Sequence, residues 1–354
     1  MLDICSLACD ITGVRSKIGE NMLDCENSAG DFVLPYADVV GAAQRLRPYA
    51  VRTPLLESPA LNELLGARVL IKNEALQRTG SFKFRGACNR ALGLTPEQKK
   101  SGIVAWSSGN HAQGVAAACA MLGMPATIVM PADAPVAKIN GTKAYGAAVM
   151  LYDRSKEDRE ALGRATAQKI GAVVVPPYDD PEVMAGQGTV GLEIMEQSHA
   201  LGVVPELVLA SCSGGGLVAG IATAVKEKSP ETAVYAVEPA EFDDLARSLR
   251  SGRHESNRQG AQSICDSLQA ATPGRLTFSV NKRLLAGSLS VSDSEVLHAM
   301  KIAFAMLKLV MEPGGACPLA ALLSGKLDIA GKTVALVCSG GNVDADIFMR
   351  ALKS

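Results

Sequence analysis

Aromatic side chains are scarce in this chain, 4% of 354 residues with a single tryptophan. No basic stripe interleaves with the few present, which speaks against a base-stacking nucleic-acid surface. Charge of one sign is also missing: 35 Lys and Arg face 36 Asp and Glu, so no long-range field draws in a polyanion or a membrane surface. No apolar run is long enough to span a bilayer, and no cationic start leads into an apolar core as in a secretory leader. The nine cysteines contain no Cys-x-x-Cys pair, so zinc-ribbon and thioredoxin-like readings lack their signature. Irregularly spaced thiols in a long chain imply a reducing, cytoplasmic setting. What is present, 48% apolar and 20% charged residues, describes a globular protein able to bury a large core.

Residues 1–37 carry six acidic groups among small polar residues and read as a weakly ordered extension. Beyond them, short runs rich in Val, Ile and Ala alternate with helical windows. The strand candidates are Val69–Asn73, Ile103–Trp106, Ala126–Met130, Ala148–Tyr152, Val173–Pro176, Leu207–Ala210, Val234–Val237 and Val334–Val337. Their near-continuous hydrophobicity suits strands buried on both faces. Thr95-Pro96-Glu97-Gln98 and Ser292-Asp293-Ser294-Glu295 are capping boxes, the second opening a helix expected to run to about Leu309. Strands separated by helices predict an α/β fold with mostly parallel sheet. No linker appears past residue 37, so a second domain must be an insertion. Residues 102–179 are the candidate small domain; 38–101 and 180–354 would form the large one.

Four segments carry chemistry. Lys83 lies in Thr79-Gly80-Ser81-Phe82-Lys83-Phe84-Arg85-Gly86, at an expected helix start capped by Ser81. Its aromatic neighbours lower an amine's pKa by penalising the charged form, which favours covalent chemistry with carbonyls. Ser213-Gly214-Gly215-Gly216-Leu217 follows a strand and precedes a helix, as a phosphate-holding turn does. Ser107-Ser108-Gly109-Asn110-His111 and Ser339-Gly340-Gly341-Asn342 are two further turns at strand ends. An NAD-dependent oxidoreductase is the rival from another class. Gly214-x-Gly216-x-x-Ala219 passes as a dinucleotide fingerprint, with Glu238 where a ribose-binding acid would sit. That rival leaves Lys83 and the two serine-glycine turns unexplained.

Together the four segments resemble the tryptophan-synthase-β-like family of pyridoxal-phosphate enzymes, and among them threonine dehydratases and serine racemases. The resemblance covers about residues 38–350. It implies two open sheets flanked by helices, with the cofactor between a large and a small domain. Lys83 then carries pyridoxal 5'-phosphate and moves the Cα proton, and Ser108 stands on the other face. Phe82, Asn110, Ser213, Gly214, Gly215, Gly216, Leu217, Glu312 and Ser339 would hold the cofactor. Ser107, Ser108, Gly109, Asn110, His111 and Arg159 would meet a small amino-acid substrate. Ser213 takes the place of the family's first glycine, costly if that position needs a positive φ. Glu238, Asp244 and the Phe242 carbonyl match a divalent-cation site suited to Mg2+, Ca2+ or Mn2+.

The resemblance also places Ser339 at the pyridine nitrogen. A hydroxyl there, unlike a carboxylate, weakens the electron sink and favours β-elimination. The expected activity is therefore dehydration and deamination of L-threonine or L-serine. A 3-hydroxyaspartate dehydratase is the alternative if Arg159 grips a second carboxylate. Serine racemisation through Ser108 is another, although Trp106 replaces a histidine of the racemases. A homodimer is usual for the family, and neither nucleic acid nor membrane is an expected partner.

Overall fold

Each expected apolar run forms a strand in the computed structural model, which describes residues 31–354 except Pro135. In chain order the strands are β1 (Leu55–Glu57), β2 (Arg68–Asn73), β3 (Ile103–Trp106), β4 (Ala126–Pro131), β5 (Ala148–Tyr152), β6 (Val173–Val174), β7 (Leu207–Ser211), β8 (Ala233–Pro239), β9 (Gly287–Val291) and β10 (Thr333–Cys338). They make two sheets, ordered β1-β2-β10-β7-β8-β9 and β5-β4-β3-β6. Every pairing is parallel except β1 with β2. Ile71, Leu209 and Leu336 are fully buried in the larger sheet, each worth about 1.5–3 kcal/mol over an exposed side chain. Residues Val33–Ser354 pack as one unit. No described helix is long and apolar enough to cross a membrane.

β1 and β9 are the additions to the sequence reading. Both are sheet edges, where burial is one-sided and a continuous apolar run is not needed. Gly-Ser-Leu-Ser-Val in β9 accordingly has an intermediate burial over its first four residues. Both capping boxes form as expected. The helix after Ser292, however, is α-helical only to Ile302. It continues as a π-turn over Ala303–Leu307, and Lys308 then takes a left-handed φ of 57°. Apolar periodicity persists through that turn, so the sequence pattern does not register the change. Of the expected extension, residues 1–30 lie outside the described residues, and the first helix, Tyr36–Leu46, starts before the expected boundary at 38.

The helix Lys83–Leu92 is fixed from below by buried charge. Arg85, 1% exposed, donates to Glu74 at 2.8 Å through Nε and Nη2, and to Glu193 at 2.7 and 2.9 Å. Lys72 Nζ reaches Glu193 at 2.6 Å and Gln197 at 2.8 Å, and Thr53 Oγ1 donates to Glu74 at 2.6 Å. Buried ions survive when each has partners of this kind. The expected cap at Ser81 does not form. Phe82 holds the cap position without a side-chain bond, and Ser81 instead bridges Gly340 in antiparallel fashion.

Candidate active site

β2, β10 and β7 lie side by side, and three motifs leave their carboxyl ends: Lys83 after β2, Ser339 after β10 and Ser213–Leu217 after β7. Ser107–His111 leaves β3 of the smaller sheet in the same way. Parallel strands put all these ends on one edge, where α/β sheets open a ligand crevice. The segments are also stitched directly. Phe82 N–H donates to Ser339 O at 3.0 Å, and Gly341 N–H donates to Gly80 O at 2.9 Å. One cleft, open at its mouth and with a cavity volume of about 190 Å³, is lined by all the expected cofactor and substrate residues. Those are Phe82, Lys83, Ser107–His111, Arg159, Ser213–Leu217, Glu312 and Ser339.

Lys83 Nζ donates to Pro177 O at 2.7 Å and stands 5.1 Å from the Phe82 ring centroid. By accessible area the residue is only partly buried. The protein around its amine still withholds enough water to bring the pKa down to about 8, against a weaker opposite pull from Glu312. Burial pushes Glu312 up to about 8, with Asp266 adding like-charge repulsion and Asn110 opposing both. Asn110 Nδ2 donates to the two Glu312 oxygens at 2.8 and 3.1 Å. Asn342 Nδ2 donates to Thr79 O at 2.7 Å and Asn110 Oδ1 at 2.8 Å, which fixes how the Asn110 amide is turned.

The glycine turn fits its sequence. Gly215 has φ 94°, a left-handed backbone that side chains rarely adopt. A Cβ on Gly214 would lie 2.4 Å from the Tyr178 ring. Ser213 has no positive φ, so the strain feared there is absent; its Oγ accepts from Ala270 N–H at 3.0 Å. The helix Gly216–Lys228 begins at this turn and aims its free N–H groups at the cleft. Ser107 Oγ accepts from Gly109 N–H at 3.1 Å and shapes the other loop before the helix Asn110–Met121.

The His111 ring, on the cleft wall, is tied to the backbone. Its Nε2–H donates to Val175 O at 2.9 Å, and burial with Lys83 nearby drives the ring down to about 3, so it is neutral. Its Nδ1 is buried with no partner among the described residues, as is Ser81 Oγ. Arg159 opens the helix Arg159–Ile170, capped by Asp158, and is exposed at the cleft wall. Cys212 and Cys338 are buried thiols pushed up by burial, Cys338 to about 12, and are packing residues.

Glu238, Phe242 and Asp244 stand apart from the cleft lining. Glu238 accepts from Leu245 and Ala246 N–H at 2.8 and 2.9 Å and from Ser288 Oγ at 2.6 Å. It is fully buried, which removes it from the ribose-binding role of the NAD reading. Asp244 accepts from Asn257 at 2.5 Å through Oδ1, while its Oδ2 is buried without a partner among the described residues. Burial pushes Glu238 up to about 8 and Asp244 up to about 6. Among the described residues no group of three or more His, Cys, Asp or Glu converges as a metal cluster.

Sequence reasoning missed Tyr178, the Pro177 carbonyl, Gln113, Lys138 and the segment Asp266–Ala270, all on the cleft wall. They come from loops and helices without a motif. Only Asn342 carried a signal, since it closes the Ser339 turn.

Known proteins are similar to this chain in sequence and fold. The chain is 43% identical over 318 residues to the L-threo-3-hydroxyaspartate ammonia-lyase of a Pseudomonas species, covering 90% of this chain and 98% of that protein. It is 39% identical over 324 residues to the serine racemase of Schizosaccharomyces pombe, covering 91% and 99%. The solved threonine deaminase of T.th. superposes with a TM-score of 0.83 at 45% identity, covering 88% of this chain and 99% of that one. The family model described as pyridoxal-phosphate dependent enzyme matches residues 46–340, and with that match the chain belongs to the pyridoxal-phosphate-dependent enzymes of the tryptophan-synthase-β-like type.

Proposed function

We propose that this protein removes the β-hydroxyl and the α-amino group of a β-hydroxy-α-amino acid, yielding a 2-oxo acid and ammonia, with L-threonine and L-serine as its first substrates. One observation carries the reading. An amine with its pKa brought down to about 8, Lys83, faces a cleft in which a serine, not a carboxylate, directly follows the central strand β10.

The cleft fits the cofactor. The Gly214–Gly216 turn leaves no room for a Cβ at Gly214, and free helix N–H groups suit a phosphate. When bound, pyridoxal phosphate supplies the electron sink that makes the substrate Cα–H acidic. Lys83 would hold the cofactor at rest and, once released by the substrate amine, take the Cα proton. The Ser107–His111 loop would orient the substrate carboxylate through the first N–H groups of its helix. Glu312 and Asn342 hold Asn110 in the orientation in which its amide faces Glu312. Ser339 would meet the ring nitrogen as a neutral partner, so that expulsion of the β-hydroxyl outcompetes transamination. Phe82 would pack beside the cofactor and Ser108 on the face away from Lys83.

The test is direct. Purified protein should be yellow, and borohydride should fix the cofactor on the peptide containing Lys83. Threonine and serine should release ammonia, with enantiomer inversion scored in parallel for racemisation. Colourless protein that binds NAD instead would end this reading. A substrate carrying a second carboxylate, 3-hydroxyaspartate, is the second reading, favoured by the guanidinium of Arg159 on the cleft wall.

Three further features belong to the same proposal. The unpartnered Asp244 Oδ2, with Glu238 and the Phe242 carbonyl, suits a hard divalent cation, which would neutralise two desolvated carboxylates. Exposed Phe304 and Met349, with Phe304 edge-on to Phe348 at 5.6 Å, offer an apolar patch for a homodimer, testable by light scattering. The six described cysteines are buried and unpaired, in keeping with a reducing cytoplasm, and the segment 102–179, which carries the smaller sheet, would be the small inserted domain.

A further inference from the structure

Lys138 and Asp266 meet at 2.7 Å across the cleft wall. Lys138 belongs to the helix Val136–Ala144 between β4 and β5 of the smaller sheet, and Asp266 to the turn Asp266–Leu268 between β8 and β9 of the larger one. The pair is unequal. The lysine side chain is 20% exposed and the aspartate 60%, so the cation lies inward and the anion outward. Burial works against the ammonium, while Asp266, Asp344 and Glu312 favour it. An inward cation needs an anion beside it; a mostly solvated carboxylate gives up its place at little cost, because an ion pair with one exposed partner contributes little. Asp266 is thus an exchangeable carboxylate held on a lysine that already faces the reaction cleft.

We propose that Lys138 is a specificity-determining residue: it receives a second carboxylate, carried on the substrate's Cβ, and Asp266 holds its place until that carboxylate arrives. The inference rests on the elimination reading above and adds the class of β-hydroxy dicarboxylic amino acids to the substrates that the cleft takes. Arg159 also lines the cleft, so the substrate's distal carboxylate would meet two cations from the helices that join strands of the smaller sheet. Threonine, with a methyl group there, would leave the Lys138–Asp266 pair intact.

The measured quantity is the ratio of kcat/KM for L-threo-3-hydroxyaspartate to that for L-threonine, in the cofactor-loaded enzyme. Lys138→Gln should lower the ratio roughly tenfold or more, the worth of one charge-assisted hydrogen bond. Lys138→Arg should restore most of it, and Asp266→Asn should raise it by removing the competitor. A ratio within about twofold of wild type in Lys138→Gln, or a fall in Asp266→Asn, overturns the proposal. Succinate gives a readout without turnover. It should raise the melting temperature of the wild type and of Asp266→Asn, and should do so far less in Lys138→Gln; equal shifts in all three overturn the proposal. Ammonia released from neither substrate would sink the elimination reading instead, and the succinate shifts would still decide Lys138.

Discussion

Lys83 and Arg85 sit two residues apart on one helix, and their surroundings ask opposite things of them. Arg85 is enclosed by Glu74 and Glu193, whose attraction outweighs the burial that opposes its charge and raises its pKa. Lys83 has a carbonyl for its hydrogen-bond partner and, among the described residues, no carboxylate within that distance, and burial brings it down to about 8. One charge is kept for structure, the other is made easy to lose. Among the described residues, His111 on the cleft wall keeps an unpartnered Nδ1, and Ser81, two residues before Lys83, an unpartnered Oγ, whereas the Arg85 guanidinium has a partner for each of its nitrogens. A fully satisfied cluster fixes geometry; an incompletely satisfied one is where a ligand finds partners.

The contrast can be broken most sharply at Lys83. Lys83→Ala should reduce ammonia release by about four orders of magnitude, since it would remove both the proposed covalent anchor and the proposed proton acceptor. Its urea midpoint should stay close to wild type, because no structural ion pair is lost. Arg85→Ala should do the reverse, costing about 3–5 kcal/mol in urea unfolding by leaving Glu74 and Glu193 uncompensated. A loss under about 1 kcal/mol there would erase the distinction between the two residues.

pH sharpens it further. Cofactor loading of apoprotein, followed by absorbance, should rise with pH through about 8, where the Lys83 amine becomes neutral, and not through its ordinary value of 10.5. His111 adds an acid limit. Its folded pKa near 3 lies below the ordinary 6.5, so the unfolded chain binds the extra proton between these values and stability falls as pH drops below about 6.5. His111→Gln should flatten that limb of a melting-temperature profile. The smallest effect belongs to the proposed cation. Chelator should lower the melting temperature by a few degrees, about 1 kcal/mol in a chain of this size, and Asp244→Asn should abolish the response.

How much of this was legible beforehand depended on whether a signal is local. Strands buried on both faces announce themselves through Val and Ile, and each chemical motif lay within a short contiguous run. Edge strands β1 and β9 were silent because their burial is partial. The Ser81 cap was misread because a distant partner, Gly340, engages that residue instead of its own helix. Tyr178, Lys138 and Asp266 gave no sign at all, since what makes them part of the site is the packing of one sheet's loops against the other's. Ser213 shows the converse. A serine in place of an expected glycine is costly only where φ is positive, and the backbone takes its left-handed residue further along the turn, at Gly215.

The place of β10 has a consequence for the making of the protein. The last strand in chain order sits between β2 and β7, two strands translated far earlier. Until it arrives, those two face each other as unpaired edges, the exposed templates on which chains aggregate. Ser339 and Asn342 arrive with it, so one wall of the cleft and the aggregation-prone gap are closed by the same late segment. A ribosome stalled before residue 333 would hold a chain with Lys83 in place and no site around it.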